Sequence, residues 1–394
     1  MRPLEGVRVV SVEQAVAAPF ATRHLADLGA EIIKVERVDG GDFARHYDTS
    51  IRGTLATHFA WLNRSKQSLA LDLAHPEGAE VLHRLLDSAD VFLHNLGPGA
   101  IDRLGFAAAD VRARSPRLIV AELTGYGNSG PMKDHKAYDL LVQAEAGVVS
   151  ITGTSESPAK TGIPIADIAA GTYLVQGILS ALLQRTRTGE GDYLQVSLFD
   201  AMVEWMGYPL YRQLYLGSPP PRVGLAHPTV TPYDAYPTRD GERVLIGVQN
   251  DRGWIQLVTK VLDLAELVDD PRTSTNVARC EHRAFVDETI AERTSRLTAE
   301  ELVARLNAAG IANGRVNDIA AVAAHPQLTE RGRWTTIDSP AGEIDAVFPP
   351  VVSANYEPVM EPVPALGEHT DRVLAGLGFD ESALDRLRQS GVVA

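Results

Sequence analysis

Cysteine is almost absent from the sequence, since Cys280 is the only one in 394 residues. A single thiol can form neither an internal disulfide nor a multi-cysteine metal site. The sequence also lacks an H-E-x-x-H motif or another close cluster of His and acidic residues with metal-ligand spacing. We therefore expect a cytoplasmic protein that uses no metal.

Basic residues are outnumbered as well: 37 Lys and Arg stand against 51 Asp and Glu, which gives a net charge of −14. Nucleic acids and anionic membranes are bound mainly through excess positive charge, so neither is an expected partner. We expect no secretory signal, because the first residues, MRPLEGVRVVSVEQ, carry charges and no apolar core. No apolar run of 18 residues was found, so no membrane span is expected either.

The glycine-rich and nucleophile motifs of several large enzyme classes are missing. The first predicted strand is followed by EQAVAAPFATRHLADLG, which contains no G-x-G-x-x-G loop for a pyrophosphate. This absence disfavours a dinucleotide enzyme in which Glu36, at the end of the second strand, would bind a ribose. A P-loop and a G-x-S-x-G elbow are absent too, which disfavours nucleotide hydrolysis and an α/β-hydrolase.

Strand and helix patterns alternate along the first part of the chain. The segments VRVVSV, EIIKVE and LIVAEL are typical of buried strands, and residues 18–28, 76–87, 107–114 and 167–187 have helical spacing. Such alternation predicts an α/β fold with a parallel sheet covered on both faces. At this length we expect two domains: a large domain over 1–200, a linker over 201–224, a small domain over 225–325, and a linker with a return to the large domain over 326–394.

A set of segments in a fixed order gives a more specific indication. The segments are PLEGVRVVSVEQAVAAPF, NRSKQSLALDL, ADVFLHNLGPGAIDRLGF, ELTGYGNSGP, KAYDLLVQAEAGV, GIPIADIAAGTY, RTGEGDYLQVSLFDA and LGEHTDRVLAGLGF. In this order the chain resembles the class III CoA-transferases, the family of formyl-CoA and carnitine CoA-transferases that also includes the α-methylacyl-CoA racemases. The resemblance extends over nearly the whole chain.

The resemblance implies a fold, a reaction and an assembly. The fold is α/β, with a Rossmann-like large domain built from both chain ends, a smaller α+β domain, and an interlocked homodimer. The reaction moves CoA between an acyl-CoA and a free carboxylic acid, which are the expected partners, and CoA is a substrate.

Asp167 matches the catalytic aspartate of the family. The resemblance implies that its carboxylate attacks the acyl-CoA, giving first an aspartyl anhydride and then an aspartyl-CoA thioester. The pattern alone also allows another role, because an Asp just ahead of a long apolar helix is a common N-cap. The two roles can coexist, since a helix N-terminus stabilises a carboxylate.

Other residues match positions that line the family's substrate site. Gln14, Ala15 and Val16 align with an oxyanion and substrate loop, in which formyl-CoA transferase has Gln at the place of Val16. Gln14 is a candidate replacement for that side-chain donor, and an ordinary strand-to-helix loop is the alternative. The remaining substrate-site positions are Tyr138, Asp139, Gly224 and His227.

The alternatives for these positions are structural. Tyr138 could be a core tyrosine with its hydroxyl satisfied. The segment with Gly224 and His227, RVGLAHP, falls where formyl-CoA transferase has a mobile run of glycines, and only Gly224 keeps that character. His227 is a candidate partner of a substrate carboxylate or a structural loop residue.

Four residues match CoA-contacting positions of the family, where phosphates need local cations in an acidic protein. These are Arg37, Leu71, Arg103 and Lys136. For the three basic residues the alternative is plain solvation at the surface.

Two other functions remain open from the sequence. The racemases carry His before the Asp, where this chain has Tyr138, and a phenol with a reference pKa near 10 is a poor proton shuttle. His135 lies nearby and could replace it, so a 2-methylacyl-CoA racemase is the alternative enzyme. A non-catalytic CoA-binding protein is the other alternative.

Overall fold

A computed structural model describes all 394 residues and divides the chain into two compact units. The first unit combines Met1–Val148, Lys160–Leu210 and Glu330–Ala394, and the second combines Val149–Ala159 and Tyr211–Thr329. The structure differs from the sequence prediction over 201–224, where two helices replace most of the expected linker. The reason is compositional, because the Pro- and Gly-rich stretch begins only at Gly217.

The first unit contains a six-stranded parallel sheet in the order β3-β2-β1-β4-β5-β6, which is the order of doubly wound nucleotide-binding sheets. The predicted α/β class with a parallel sheet is confirmed. The strands are short, and β1, β2 and β5 are rich in β-branched residues, which suits burial on both faces. They are β1 (Arg8–Val12), β2 (Glu31–Glu36), β3 (Gln67–Ala70), β4 (Val91–His94), β5 (Ile119–Thr124) and β6 (Tyr193–Ser197).

Helices connect these strands. The helical patterns seen in the sequence are confirmed to within two residues at each end. The helices up to residue 205 are α1 (Ala17–Asp27), α2 (Thr57–Asn63), α3 (Pro76–Asp87), α4 (Ala100–Arg103), α5 (Ala108–Arg114), α6 (Asp139–Glu145), α7 (Val148–Ile151), α8 (Ile165–Thr188) and α9 (Leu198–Trp205), with a 3-10 helix at Phe43–His46.

Helix α8 differs from the expectation that no membrane-length apolar segment exists. It has 24 residues, and by length and apolar composition it could cross a membrane. Core helices of globular proteins meet the same criterion. In this chain the helix contributes fully buried residues such as Leu174 and Ile178 to the first unit.

The second unit has a three-stranded antiparallel sheet in the order β7-β8-β9. Trp254, Leu302 and neighbouring apolar side chains form its core. Helix α10 crosses the boundary between the units at Leu210. The elements are α10 (Gly207–Leu216), β7 (Tyr233–Pro237), β8 (Arg243–Gly247), α11 (Asp251–Gln256), a π-helical turn (Leu257–Val261), a 3-10 helix (Ala265–Val268), α12 (Asn276–Glu281), α13 (Arg283–Thr294), α14 (Ala299–Ala308), β9 (Ala312–Arg315), α15 (Ile319–Ala323) and α16 (Pro326–Thr329).

The last segment returns to the first unit. It forms an antiparallel pair, β10 (Trp334–Ile337) and β11 (Ile344–Val347), followed by α17 (Thr370–Gly376) and α18 (Glu381–Gln389). Leu374 and Leu387 are buried in the same core cluster as strand residues Val10 and Phe92. Beyond α18, Val393 forms a β-bridge with Leu71, and the Val392 carbonyl accepts a hydrogen bond from the Asp72 N–H at 2.8 Å.

Candidate active site

Helices α1 and α8 approach each other closely at their N-terminal turns. A Cβ atom built on Gly171 would lie 2.6 Å from the Ala17 carbonyl oxygen and 2.9 Å from Cδ1 of Phe20. Only glycine permits so short a distance between the two backbones. Asp167 precedes Gly171 by one helical turn, and the predicted loop at residues 14–16 leads directly into α1. The contact therefore brings the start of both helices to one place.

A cavity of about 490 Å³ lies at this place. It brings together seven residues that the sequence predicted for the site: Gln14, Ala15, Val16, Lys136, Tyr138, Asp139 and Asp167. Lys136 is its only lysine or arginine. The remaining wall residues are Ala17, Phe43, Tyr47, Asn95, Leu96, Gly97, Pro98, Leu123, Thr124, Gly125, His135, Ala137, Leu140 and Leu198.

Asp167 is the third residue of α8, and its carboxylate accepts no hydrogen bond from the protein. Its partial burial and, secondly, the negative charge of Asp139 raise the pKa of Asp167 to about 7. Reactive groups of enzymes often have a strongly shifted pKa and lie in a cavity, as this carboxylate does. The group is thus both unpartnered and accessible to a ligand.

Asp139 performs the capping role that the sequence allowed for Asp167. Its Oδ1 accepts hydrogen bonds from the N–H groups of Ala166 at 2.8 Å and Asp167 at 3.4 Å. Its Oδ2 accepts one from the Gln143 side-chain amide at 2.6 Å. Because Pro164, at the N-cap position, offers no side-chain acceptor, α8 is capped from α6. The Asp167 carboxylate is consequently not used as a cap.

The loop before α1 is held from both sides. The backbone N–H of Gln14 donates to Asn95 Oδ1 at 2.9 Å, and Asn95 Nδ2 donates to the Gln14 carbonyl at 2.9 Å. Ala15 has a φ of 62°, a left-handed conformation that costs a non-glycine residue about 1–2 kcal/mol. The N–H groups of Val16 and Ala17 have no acceptor within the protein. The Gln14 side-chain amide also makes no hydrogen bond. Three wall residues of the loop and of α1 thus leave donors without an acceptor in the protein: Gln14 at its side chain, and Val16 and Ala17 at the backbone.

Tyr138 is not a core residue, because 64% of its surface is exposed. The alternative of a buried tyrosine with a satisfied hydroxyl is therefore wrong. Tyr138 is the N-cap residue of α6 and lines the cavity beside Asp139. His135 lines the same cavity, with its ring 6.3 Å from that of Tyr126.

Two aromatic residues in the wall of the cavity, Phe43 and Tyr47, were not predicted from the sequence. Both belong to the segment that begins with the 3-10 helix after Asp42. Burial, together with the negative charges of Asp42 and Asp167, raises the pKa of Tyr47 to about 12. The signal in the sequence was the run GGDFARHY after β2, where Asp42 caps the short helix.

A second cavity of about 560 Å³ lies at the carboxyl ends of β1, β2, β3 and β4. This is the side on which open α/β sheets bind ligands. Arg37 and Leu71, two predicted CoA-contacting residues, line it, and Arg37 forms a two-point ion pair with Asp39. Gln14 and Leu96 line both cavities, so the two are neighbours.

Glu36, at the end of β2, occupies the position of the acid that holds a ribose in dinucleotide-binding sheets. Its carboxylate receives two hydrogen bonds from Arg45 at 2.8 Å and one from the Ser68 hydroxyl at 2.7 Å. Although burial opposes ionisation, the Arg45 hydrogen bonds and the charge of Lys34 lower the pKa of Glu36 to about 2. The acid that would hold a ribose is thus buried and fully engaged.

Three predicted residues lie outside these two cavities. Arg103, at the end of α4, lines neither, and its Nη1 donates to the Pro98 carbonyl at 3.4 Å. Gly224 and His227 belong to the second unit. There the Gly224 N–H donates to the Gly153 carbonyl at 2.8 Å, and the His227 ring stacks on Tyr233 at 5.4 Å. Their substrate-site roles stay predictions.

The chain matches a family of known proteins over nearly its whole length. The family model described as CoA-transferase family III matches residues 4–370. The chain is 33% identical over 397 residues to succinyl-CoA:glutarate CoA-transferase of Mus musculus, covering 100% of this chain and 91% of that protein. It is 34% identical over 387 residues to succinate–glutarate CoA-transferase of Agrobacterium fabrum, covering 95% and 96%.

A solved structure gives the same result for the fold. The crystal structure of a CaiB/BaiF family protein from Brucella suis superimposes with a TM-score of 0.84 at 34% identity, covering 95% of this chain and 99% of that one. The resemblance inferred from the sequence is therefore confirmed. The chain belongs to the CoA-transferase family III and is an enzyme of this class.

Proposed function

We propose that the protein transfers CoA from an acyl-CoA to a free carboxylic acid through covalent intermediates on Asp167. The observation that carries the proposal is the state of this carboxylate, which lines the cavity between two helix N-termini and accepts no hydrogen bond from the protein. Asp139, the other carboxylate of the cavity, is engaged by Ala166 and Gln143. A carboxylate without a hydrogen-bond partner in the protein is free to attack a bound substrate as a nucleophile.

The reaction proceeds in four substitutions at acyl carbons. An Asp167 oxygen attacks the thioester carbon, the C–S bond breaks, and CoA thiolate leaves behind a mixed anhydride. The thiolate attacks the aspartyl carbonyl carbon, which releases the first acid as a carboxylate and leaves an aspartyl-CoA thioester. The acceptor carboxylate then displaces CoA thiolate, giving a second anhydride. Attack of the thiolate on the acceptor's acyl carbon gives the new acyl-CoA and restores Asp167.

Each substitution passes through a tetrahedral oxyanion, which needs donors placed in advance. The free N–H groups of Val16 and Ala17 and the side-chain amide of Gln14 supply them. The N-terminal ends of α1 and α8 add positive potential at the same point. Removing one such donor typically lowers kcat by about 10²–10³. No step transfers a proton, so the reaction does not need an imidazole where Tyr138 stands.

The second cavity suits the nucleotide part of CoA. It lies beside the Asp167 cavity, with Gln14 and Leu96 in both walls, so one extended molecule can occupy the two. Arg37 is exposed at its edge and can exchange Asp39 for a phosphate, because surface ion pairs contribute little free energy. Arg103 remains a predicted phosphate contact.

A dicarboxylic acid is the acceptor class that we propose. The relatives described above are named for succinate and glutarate, which carry a second carboxylate away from the reacting one. Lys136 is the only lysine or arginine in the wall of the cavity, and it can pair with that second carboxylate.

A test of the function incubates the purified enzyme with succinyl-CoA and a panel of monocarboxylic and dicarboxylic acids. Mass spectrometry follows new acyl-CoA species and a CoA adduct on the peptide that contains Asp167. Transfer with an Asp167 adduct supports the proposal. An active enzyme whose CoA adduct is never found on Asp167, even after rapid acid quenching, would contradict the covalent route.

Replacing Lys136 by methionine tests the proposed acceptor. We expect Lys136→Met to raise KM for dicarboxylic acids by roughly tenfold to a hundredfold, because a charge-assisted hydrogen bond contributes about 1.5–3 kcal/mol. KM for butyrate should stay within about twofold, since it has no second carboxylate. Lys133→Met, three residues earlier and outside the cavity, is the matched control. An equal rise in KM for acyl-CoA with every acceptor would instead assign Lys136 to CoA, as the family resemblance implies.

The rate should depend on pH through Asp167, which must be ionised to attack. Because its pKa is raised to about 7, we expect kcat/KM to fall below pH 7 by about tenfold per pH unit. Asp139→Asn keeps an acceptor for the α8 N–H groups and removes the neighbouring negative charge, so the midpoint should move to lower pH. A midpoint that does not move in this variant would contradict the electrostatic account.

The racemase alternative has less support. The relatives described above are named transferases, and the family's racemase histidine is replaced by the exposed Tyr138.

We also propose a homodimer, which light scattering measures. The apolar side chains left exposed on α10 support it: Leu214, Tyr215 and Leu216 are each more than two thirds exposed. A cytoplasmic location and the absence of metals and membranes stay predictions.

A further inference from the structure

One oxygen atom joins two walls of the Asp167 cavity. Oδ1 of Asp42 accepts hydrogen bonds from the N–H of Ala15 at 3.0 Å and from the N–H of Ala44 at 2.9 Å. Ala15 belongs to the loop that precedes α1, and Ala44 to the 3-10 helix Phe43–His46. The cavity is lined by the loop on one side and by Phe43 and Tyr47 on the other.

Ala15 needs such a restraint because of its backbone conformation. Its φ of 62° is disfavoured for any residue with a Cβ atom and persists only where neighbouring groups hold it. The hydrogen bond to Asp42 is the only one that the Ala15 N–H makes. Losing it would let Ala15 relax, and the direction of the next N–H groups, those of Val16 and Ala17, would change with it.

The second oxygen of Asp42 is held by a buried charge. Lys34 Nζ donates to Asp42 Oδ2 at 2.7 Å and to Asn63 Oδ1 at 3.1 Å, and the side chains of Asp42 and Lys34 are completely buried. Glu13 lies 3.6 Å from the same ammonium group. Burying a charge is unfavourable unless it is paired and hydrogen-bonded, so Lys34 fixes the position of the Asp42 carboxylate.

The network continues on the far side of the loop. Glu13, next to Gln14, receives hydrogen bonds from Lys66 Nζ at 2.7 Å and from the Thr22 hydroxyl at 2.7 Å, and all three groups are buried. Two lysines and two carboxylates are therefore hydrogen-bonded in pairs directly behind the loop. With Gln14 held by Asn95, the first backbone donors left free are those of Val16 and Ala17.

We propose that Asp42 is a positioning residue for the transfer reaction, which holds the Ala15 backbone so that the following N–H groups point at the oxyanion beside Asp167. This inference rests on the proposed function, because the oxyanion arises only in the Asp167 chemistry. Asp42 itself does not touch the reacting atoms. It acts on the reaction indirectly, by holding the loop before α1 and the Phe43 segment in fixed positions relative to each other.

Two double variants separate the acceptor role of Asp42 from its charge. Lys34→Met with Asp42→Asn removes both charges and keeps an oxygen that can accept from Ala15 and Ala44. Lys34→Met with Asp42→Leu removes the charges and the acceptor and keeps the branched, four-atom skeleton of the Asp42 side chain. Neither variant leaves an unpaired charge at this pair, and circular dichroism and thermal unfolding compare their folded states.

With acyl-CoA as the varied substrate, we expect the Leu variant to lose roughly 100-fold or more in kcat, as oxyanion-donor losses do, while KM changes by less than about threefold. The Asn variant should recover most of that kcat. Equal kcat values in the two variants would overturn the proposal. A rise in KM without loss of kcat would also overturn it, because Asp42 also lines the second cavity and would then act there.

Hydrogen–deuterium exchange on the unmodified enzyme gives a test that needs neither folding of variants nor activity. At single-residue resolution the amides of Ala15 and Ala44 should exchange at least roughly 100-fold more slowly than those of Val16 and Ala17, because only the first two are bonded to a buried carboxylate. Fast exchange at Ala15 would overturn the proposal that Asp42 holds the Ala15 backbone. If the protein shows this exchange pattern but no transferase activity, the proposed function is wrong, while the hydrogen bonds from Ala15 and Ala44 to Asp42 are supported.

Discussion

Asp167→Ala is expected to lower kcat for CoA transfer by at least roughly 10⁴-fold, because the nucleophile of a covalent mechanism cannot be replaced by its surroundings. The cavity offers no second free carboxylate, since Asp139 is occupied in capping α8. The variant should fold, because Asp167 makes no side-chain hydrogen bond that would be lost. Steady-state kinetics with succinyl-CoA measure the loss of transfer. Mass spectrometry should find no CoA adduct on the variant.

Asp200→Ala is the matched control for this substitution. Asp200 is also the third residue of a helix, α9, but it does not line the cavity. It should retain activity within about twofold, as surface substitutions away from special features usually do. Comparable loss in both variants would mean that an acid in the first turn serves helix stability, and that the assignment of Asp167 as nucleophile is wrong.

The ionised Asp167 carboxylate should lower the free energy of unfolding by an amount that depends on pH. The folded pKa of Asp167, about 7, lies above the reference value of 3.8, so the folded state binds the proton more tightly than the unfolded state does. Ionisation therefore opposes folding, by an amount that grows from about pH 4 to pH 7 and is constant above. Asp167→Asn should thus unfold at a higher temperature than the unsubstituted enzyme at pH 8, and the difference should vanish near pH 4.

Gly171→Ala is expected to lower the free energy of unfolding by roughly 1–3 kcal/mol, as overpacked core positions do. The new methyl group would meet the Ala17 carbonyl at 2.6 Å, and that atom belongs to the backbone of α1 and cannot rotate away. Separating the two helices also moves Val16 and Ala17 relative to Asp167, so kcat should fall by at least about tenfold. Urea unfolding and transfer kinetics measure the two effects.

Gly177→Ala, in the same helix, should have the opposite effect on stability. Its methyl group would lie 3.5 Å from Cδ1 of Leu194, an ordinary van der Waals distance. Because alanine favours the helical conformation more than glycine does, a gain of up to about 1 kcal/mol is expected, with unchanged kcat. If Gly171→Ala behaved like this control, the two helices would not be in the tight contact on which the site depends.

The elements that could be predicted from the sequence are those specified by local patterns or by the family motifs. The β-branched runs predicted β1, β2 and β5, and helical spacing predicted α1, α3 and α8. The motif GIPIADIAAGTY directed attention to Asp167. In the structure, that residue lies in one cavity with Gln14, Ala15, Val16 and Asp139.

Contacts between distant residues could not be predicted in this way. Asp139 caps α8 from 27 positions away, so the sequence next to Asp167 gave no sign that its own carboxylate was free. Lys34 lies inside a run of strand residues, and Lys66 follows a surface-like Asn-Arg-Ser, yet both are completely buried. Their carboxylate partners become visible only when the chain has folded, because Lys66 and Glu13 are 53 positions apart.

The return of the chain to its first unit has a consequence for biosynthesis. Val373, Leu374, Leu384 and Leu387 complete the apolar core around strands that were synthesised long before them. While residues 211–329 are being translated, these earlier strands must leave part of that core open to solvent or to a chaperone. The residues of the second unit need no such late segment. We expect them to become protease-resistant on the ribosome first, and the unit that carries Asp167 to close only after its last helices emerge.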